Sequence, residues 1–215
     1  TEIELMCLDA SGKLAACYLS KHPAVFFSAT LSPLAYYIGL LQGKNLPIQP
    51  ESLLLGSPFP SENLLILVCG KLSTRYQQRQ ATIQPILQMI LAAVRQRIGN
   101  YLVFVPSFAY LQMLRGLLRA WPDRGDLDCQ FQQPNMSEKL RQSFLNRFEH
   151  FGQKTLLAVA VIGGVFSEGI DLIGEKLTGV VIVGVGLPQI CPEREIMRQY
   201  YAEVMGSGYE YAYLF

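Results

Sequence analysis

Long apolar runs alternate with amphipathic stretches along most of the chain. The runs TLLAVAV (155–161) and GVVIVGVG (179–186) are almost continuously apolar, which is typical of strands buried on both faces of a parallel sheet. Shorter apolar runs bounded by turn-forming residues also predict strands. These further predicted strands are AVFFSATL (24–31), LLILVC (64–69), YLVFVP (101–106) and DCQFQQP (128–134).

Four stretches between the apolar runs have the spacing or the capping residues of helices. Over 76–98, isoleucine, leucine and valine recur with helical periodicity, and Pro85 is expected to dent this helix near its start. A serine at an N-cap accepts a hydrogen bond from the first turn, so Ser107 and Ser137 are expected to open two helices. The predicted helices are 76–98, one opened by Ser107, one from Ser137 to about His150, and one from Cys191 to Gly206.

This alternation predicts an α/β fold with a doubly wound, mostly parallel sheet and helices on both faces. Residues 32–63 break the alternation, and their many prolines predict an irregular connector. The prolines are Pro33, Pro47, Pro50, Pro58 and Pro60. We therefore expect a first part over 1–63, with one strand and the connector, and a second part over 64–215 that holds the sheet.

Composition and charge narrow the class of protein. The 215 residues are 50% hydrophobic and carry a net charge of +1, so any contact with a polyanion must come from a local patch. Five cysteines without a CxxC pair and only two histidines favour reduced intracellular thiols over disulfides or a metal site. Neither a membrane span nor a signal peptide is recognisable. We therefore expect a cytoplasmic location without membrane contact.

The candidate chemistry lies where predicted strands end, because ligands of open parallel sheets bind at the carboxyl ends of the strands. Glycine-rich loops and helix N-termini at this edge suit a nucleotide or a nucleic-acid backbone. Each segment has a structural alternative, namely helix capping, strand-end hydrogen bonding or a simple turn. The segments are Ser28-Ala29-Thr30, Pro106-Ser107, GGVFSEGID (163–171) and GLPQ (186–189). No GxxxxGK[ST], GxGxxG, HExxH or GxSxG pattern occurs, so the chain alone is not expected to bind a triphosphate.

Several of these segments together resemble a known family. FFSATLSPLAYY, LLLGSPF, YLVFVPSFAYL and GGVFSEGIDLIGEKLTGVVIVGVGLPQI occur in this order. They are similar to the second RecA-like motor domain of the XPD/DinG branch of superfamily 2 DNA helicases. The resemblance covers nearly the whole chain and implies two RecA-like domains, with ATP in the cleft between them and single-stranded DNA running across both.

The resemblance also implies roles for individual residues. Ser28, Ala29 and Thr30 resemble motif III, which couples the ATP state to DNA contact. The segment FVPSF (104–108) resembles motif IV, which implies that Ser107 and Phe108 contact DNA. FSEGID resembles motif V, which implies that Ser167 lies by the DNA and that Glu168, Gly169 and Asp171 lie at the nucleotide side of the cleft. A helix cap is the alternative role for Asp171.

Parts of the family pattern are missing from the sequence. Walker A, the DEAH-type box and the iron–sulphur cysteines belong to a first motor domain, and the QxxGRxxR motif VI is expected after Phe215. The resemblance thus implies a fragment of a bacterial, 5′-to-3′, ATP-dependent DNA helicase, with 64–215 an incomplete C-terminal motor domain. The chain also begins without Met and ends on YEYAYLF, which suggests the same.

The implied cofactors belong to the longer protein. These are ATP and Mg²⁺, and the missing domain could hold an iron–sulphur cluster, whereas this chain alone is expected to bind none of them and to be inactive. The implied partners are single-stranded DNA and the missing first motor domain. The alternative is a non-enzymatic RecA-like module for protein docking or nucleic-acid binding.

Overall fold

The computed structural model describes residues 5–18, 23–42, 50–122, 125–150 and 152–214. It divides into two compact units, one of Thr1–Leu65 with Gln189–Phe215 and one of Ile66–Pro188. The second unit contains the parallel sheet and most of the predicted site residues. The division of the chain into parts 1–63 and 64–215 stays a prediction.

A four-stranded parallel sheet forms the centre of the Ile66–Pro188 unit. The strand order is β2-β3-β1-β4, and each neighbouring pair is parallel. Asn100 lies opposite Leu156, and Leu127 lies opposite Thr155. This confirms the predicted α/β fold with a parallel sheet. The strands are β1 (Asn100–Val105), β2 (Leu127–Phe131), β3 (Thr155–Val161) and β4 (Gly179–Ile182).

Helices cover both faces of the sheet. Successive residues of a strand point to opposite faces, so each strand has side chains that pack in both layers. Val103 and Val105 of β1 lie in the larger core with the helices α3 (Arg79–Val94) and α4 (Phe108–Ala120). Leu102 faces the smaller core, which includes Phe144 of α5 (Glu138–Asn146). The predicted placement of helices on both faces is confirmed.

Two of these helices begin as their capping residues predict. Ser107 Oγ accepts a hydrogen bond from Tyr110 N at 3.2 Å, and Ser137 Oγ accepts one from Leu140 N at 3.4 Å. Each bond satisfies one of the N–H groups that a first turn leaves without a helical partner. By contrast, α3 is shorter than predicted and ends at Val94. Pro85 lies inside this helix and does not end it.

Two predicted strands are wrong. Residues 24–28 are irregular and 29–30 form a turn, and residues 64–69 are also irregular. Residues 64–68 are 68–88% exposed, so among the described residues no layer covers this apolar run and no strand pairs with it. Without such neighbours the run has no reason to form a strand. β4 also ends before its predicted limit, because Gly184 and Gly186 have φ values of 93° and 63°, outside the range of a strand.

The other unit contains three α-helices among its described residues. The prediction of an irregular connector over 32–63 is wrong in part, because α2 lies within it, while 43–49 with Pro47 are outside the described residues. The last helix ends as predicted, at Gly206 with a φ of 72°. The helices are α1 (Ser11–Tyr18), α2 (Leu34–Gln42) and α6 (Pro192–Met205), with a π-helical turn at Glu210–Leu214.

A tyrosine cluster joins the elements of this unit. The rings of Tyr201 and Tyr211 stack with centroids 4.2 Å apart, and Tyr36 lies 4.8 Å from Tyr211. Burial and then the nearby Asp9 raise the pKa of Tyr201 to about 12, and its hydroxyl donates to Leu8 O at 2.8 Å. Within the described ranges, no helix combines the length and apolarity that a bilayer span requires.

Candidate functional site

The loops that follow the strands meet at one edge of the sheet, as the carboxyl ends of parallel strands must. Ile162 N donates to Val105 O at 3.0 Å, so the chain after β3 lies beside the end of β1. Val183 N donates to Phe104 O at 2.9 Å, which brings the chain after β4 to the other side of β1. This confirms that Pro106-Ser107, GGVFSEGID and residues 186–188 of GLPQ share an edge. The fourth predicted segment, Ser28-Ala29-Thr30, does not follow a strand.

An aromatic anchor holds the 162–173 loop, which contains the predicted motif V. Phe166 is 1% exposed, and its ring stacks on Phe144 with centroids 4.3 Å apart and planes 21° apart. Ile170 and Leu172 pack against the same core. Because these apolar side chains lie against the core, the two carboxylates between them, Glu168 and Asp171, are left exposed to solvent.

A buried glutamine fixes the start of this loop. Gln132, which directly follows β2, is 5% exposed, and its Oε1 accepts a hydrogen bond from Val161 N at 2.7 Å. A β-carbon on Gly164 would lie 2.9 Å from Val161 O and 3.2 Å from Gln132 Nε2, so only glycine fits without displacing them. The sequence prediction missed Gln132, and its only signal is an amide at the end of a strand.

The loop itself turns twice through left-handed backbone. Gly163 and Gly169 both have φ values of 71°, which glycine adopts without a steric cost. Between them, Ser167 N donates to Gly164 O at 2.9 Å, and Ser167 Oγ lies 3.5 Å from Val161 O. Ser167 therefore helps to close the loop, and its predicted contact with DNA stays a prediction.

Two carboxylates of the loop are available to a ligand. Glu168 and Asp171 are exposed, and neither makes a hydrogen bond or an ion pair with the described part of the chain. The alternative that Asp171 caps a helix is wrong, because the next helical turn, Gly174–Lys176, has Ile173 at its N-cap and no side-chain capping bond. The structure thus provides no packing or capping reason for either carboxylate.

The predicted motif IV residues also have structural roles. Ser107 caps α4, as described above, and Phe108 is half-buried against the larger core. Next to them, the ring of Tyr110 is fully buried, and burial raises the pKa of Tyr110 more than the nearby Arg79 lowers it. The contacts of Ser107 and Phe108 with DNA stay predictions.

The predicted motif III residues lie in the other unit. Ser28, Ala29 and Thr30 are exposed, and Thr30 N donates to Ser28 Oγ at 3.2 Å in a tight turn. The structure therefore brings together the motif IV and motif V residues at one edge, while the coupling role of 28–30 stays a prediction.

In the described ranges, no three His, Cys, Asp or Glu side chains are grouped so that they could hold a metal ion.

Comparison with known proteins identifies the family. The sequence profile of the helicase C-terminal domain matches residues 90–215, which is more than half of the chain. The chain belongs to the helicase C-terminal domain family. A relative, the ATP-dependent DNA helicase CHL1 of Debaryomyces hansenii, is 23% identical over 217 residues. The match covers 94% of this chain but 26% of that protein, so the chain spans about a quarter of the length of this relative.

The region matched by the helicase C-terminal domain contains the carboxyl edge of the sheet, where the candidate site lies. It begins within α3 and includes all four strands, the 162–173 loop and α6. This confirms the predicted resemblance to a C-terminal helicase domain and, with the parallel sheet, a RecA-like α/β fold. The matched region includes neither residues 28–30 nor the segment 71–79 that leads into α3.

Proposed function

We propose that this helicase C-terminal domain is part of an ATP-dependent DNA helicase of the XPD/DinG branch that moves 5′-to-3′ on single-stranded DNA. The carboxyl edge of its sheet forms one wall of the ATP cleft and part of the DNA path. Membership of the helicase C-terminal domain family and the similarity to the ATP-dependent DNA helicase CHL1 support this proposal. The observation that carries it is a pair of exposed carboxylates, Glu168 and Asp171, that have no partner among the described residues and lie on a firmly anchored glycine-rich loop.

The two sides of the loop serve different ligands in this proposal. Gly169 lets the backbone approach the nucleotide closely, and the Asp171 carboxylate accepts a hydrogen bond from the ribose or orients an arginine of the motor. Ser107 and Ser167 lie toward DNA phosphates, where hydroxyls and helix N-termini are common ligands. Because one loop touches both ligands, a change at the nucleotide shifts the DNA contacts.

This chain supplies only part of the catalytic machinery. Phosphoryl transfer requires a phosphate-binding lysine, Mg²⁺ carboxylates and an arginine finger around the γ-phosphate, and the sequence contains no Walker A pattern for the first of these. The carboxyl edge fits one wall of a nucleotide site, because it offers backbone groups, hydroxyls and two carboxylates. In our proposal the phosphate-binding lysine, the Mg²⁺ carboxylates, Mg²⁺ and any iron–sulphur cluster come with a first motor domain of the same helicase. The arginine finger comes with motif VI.

The chain alone should therefore show no ATP turnover above background when single-stranded DNA is present. Because its net charge is +1, it should also bind single-stranded DNA weakly, and binding should weaken further with salt as phosphate contacts release counterions. A coupled ATPase assay and fluorescence anisotropy at several salt concentrations measure both, with the full-length gene product as the positive control.

Robust DNA-stimulated hydrolysis by the chain alone would contradict the division of labour between two domains. If the full-length product binds DNA but does not hydrolyse ATP, the motor proposal fails. The non-enzymatic docking or nucleic-acid-binding module then replaces it.

A further inference from the structure

Basic and acidic residues are unevenly distributed along the sequence, although the net charge of the whole chain is small. Between Glu62 and Asp123 there is no acidic residue, although the whole chain has 17. The same stretch contains seven of the 18 basic residues, so it forms a strongly cationic segment. The basic residues are Lys71, Arg75, Arg79, Arg95, Arg97, Arg115 and Arg119.

Five of these cations divide into two groups by their partners. Arg95 pairs with Asp126 at 3.4 Å and Arg97 with Glu175 at 3.8 Å, both near the amino ends of the strands. In contrast, Lys71, Arg75 and Arg79 form no ion pair with any described residue, and Lys71 and Arg75 are exposed. The charge of this second group is therefore not neutralised by the fold.

Lys71, Arg75 and Arg79 lie on a segment, 71–79, that packs at the carboxyl edge of the sheet. A β-carbon on Gly184, in the chain after β4, would lie 3.2 Å from Thr74 Oγ1. Arg79 Nε donates to Thr74 O at 3.5 Å, and the Arg79 guanidinium lies 5.7 Å from the ring centre of Tyr110 in the first turn of α4. The 71–79 segment is thus next to the helix that Ser107 caps.

An exposed aromatic ring lies among these cations. Tyr76 is 81% exposed, and the Arg79 guanidinium lies 5.2 Å from its ring centre. An exposed aromatic ring does not contribute to the packing of the core. Bases of single-stranded nucleic acids stack on such rings, while neighbouring cations contact the nucleic-acid backbone. Cations and an exposed tyrosine in one short segment therefore fit a single strand better than they fit a small anion.

We propose that the 71–79 segment is a further contact for single-stranded DNA, in which Lys71 and Arg75 bind phosphates and Tyr76 stacks on a base. Arg79 positions Tyr76 through its contact with the ring. The contact reads no base sequence, because every base has a face on which to stack. This inference rests on the proposed function, since it extends the DNA path that begins at the carboxyl edge of the sheet.

A charge-matched pair of variants tests the phosphate contacts. The variant Lys71→Gln with Arg75→Gln removes two charges at the carboxyl edge, whereas Arg97→Gln with Arg119→Gln removes two from the same acid-free stretch near the amino ends of the strands. Each phosphate contact to a single strand contributes about −0.7 to the slope of log affinity against log salt. We expect the first variant to lose about 1.4 from this slope and about tenfold or more in affinity at low salt, and the second to keep the slope of the wild type.

An abasic strand tests the stacking contact. Tyr76→Ala should weaken binding of a dT strand of about 20 nucleotides by about tenfold or more without changing the salt slope, and it should not weaken binding of a matched strand that lacks bases. Thermal melts of all variants check that they fold.

The outcomes separate this inference from the proposed function. If wild type binds but the Lys71→Gln, Arg75→Gln variant keeps its slope, or if Tyr76→Ala has the same effect on both strands, the 71–79 contact is overturned while the proposed function stands. No binding by the wild type and by the full-length product overturns both.

Discussion

Replacing Phe166 with alanine lowers the free energy of unfolding of the chain by about 3–5 kcal/mol, the range for truncating a buried phenylalanine. The ring is almost fully buried and stacked on Phe144, so its removal leaves a cavity and also deletes an aromatic pair. Loss of the ring also frees the 162–173 loop from the smaller core. Denaturant unfolding followed by circular dichroism measures the change.

The neighbouring Val165 provides the control for this prediction. It belongs to the same loop but is 42% exposed, so Val165→Ala should change the free energy of unfolding by no more than about 0.5 kcal/mol. Phe166→Leu, which keeps most of the apolar volume, should be milder than Phe166→Ala. Equal effects of Val165→Ala and Phe166→Ala would show that the ring does not anchor the loop.

Replacing Asp171 with asparagine in the full-length helicase lowers DNA-stimulated ATP turnover by at least about tenfold. The substitution keeps the size of the side chain but removes the charge that would orient an arginine or bind the ribose. An arginine finger contributes about 10³-fold or more to kcat in related phosphoryl-transfer enzymes, so even partial misplacement is costly. ATPase assays and DNA binding on the same preparation measure the effect.

Stability separates this catalytic role from a structural one. Because Asp171 is exposed and has no partner in the described structure, its replacement should change the free energy of unfolding by less than about 0.5 kcal/mol. Glu175→Gln removes a carboxylate four positions along the chain and should leave turnover unchanged. Turnover at the wild-type rate in Asp171→Asn would leave this carboxylate without a role in catalysis.

The sheet was predictable where its signals are local. β3 has the predicted bounds, 155–161, because an apolar run that is buried on both faces has few other ways to fold. Ser107 and Ser137 begin their helices because an N-cap depends on groups only three residues away. The meeting of the loops at one edge followed from the parallel strands, whose carboxyl ends must share an edge.

The errors concern features that depend on distant or missing partners. The apolar runs at 24–31 and 64–69 predict strands, but a strand also requires a neighbour and a covering layer, and the sequence shows neither. The helix α2 was missed because its prolines lie around it, at 33 and 50, and not within it. Prolines flanking a segment are compatible with a helix between them.

The contacts that shape the site were also beyond the sequence. Gln132 binds the backbone of Val161, 29 positions away, and Phe166 meets Phe144 across the smaller core. The acid-free stretch that contains the 71–79 segment was visible as a charge pattern, but its place at the carboxyl edge depends on the packing of Thr74 against Gly184.

The central claim is that the carboxyl edge of this sheet binds both ligands, and hydrogen–deuterium exchange of the full-length helicase tests it most directly. A non-hydrolysable ATP analogue should slow exchange in 163–171, and single-stranded DNA should slow exchange in 104–109. Exchange in the loops at the amino ends of the four strands should not change with either ligand. Protection confined to those amino-end loops, with 163–171 and 104–109 unchanged by either ligand, would contradict the account.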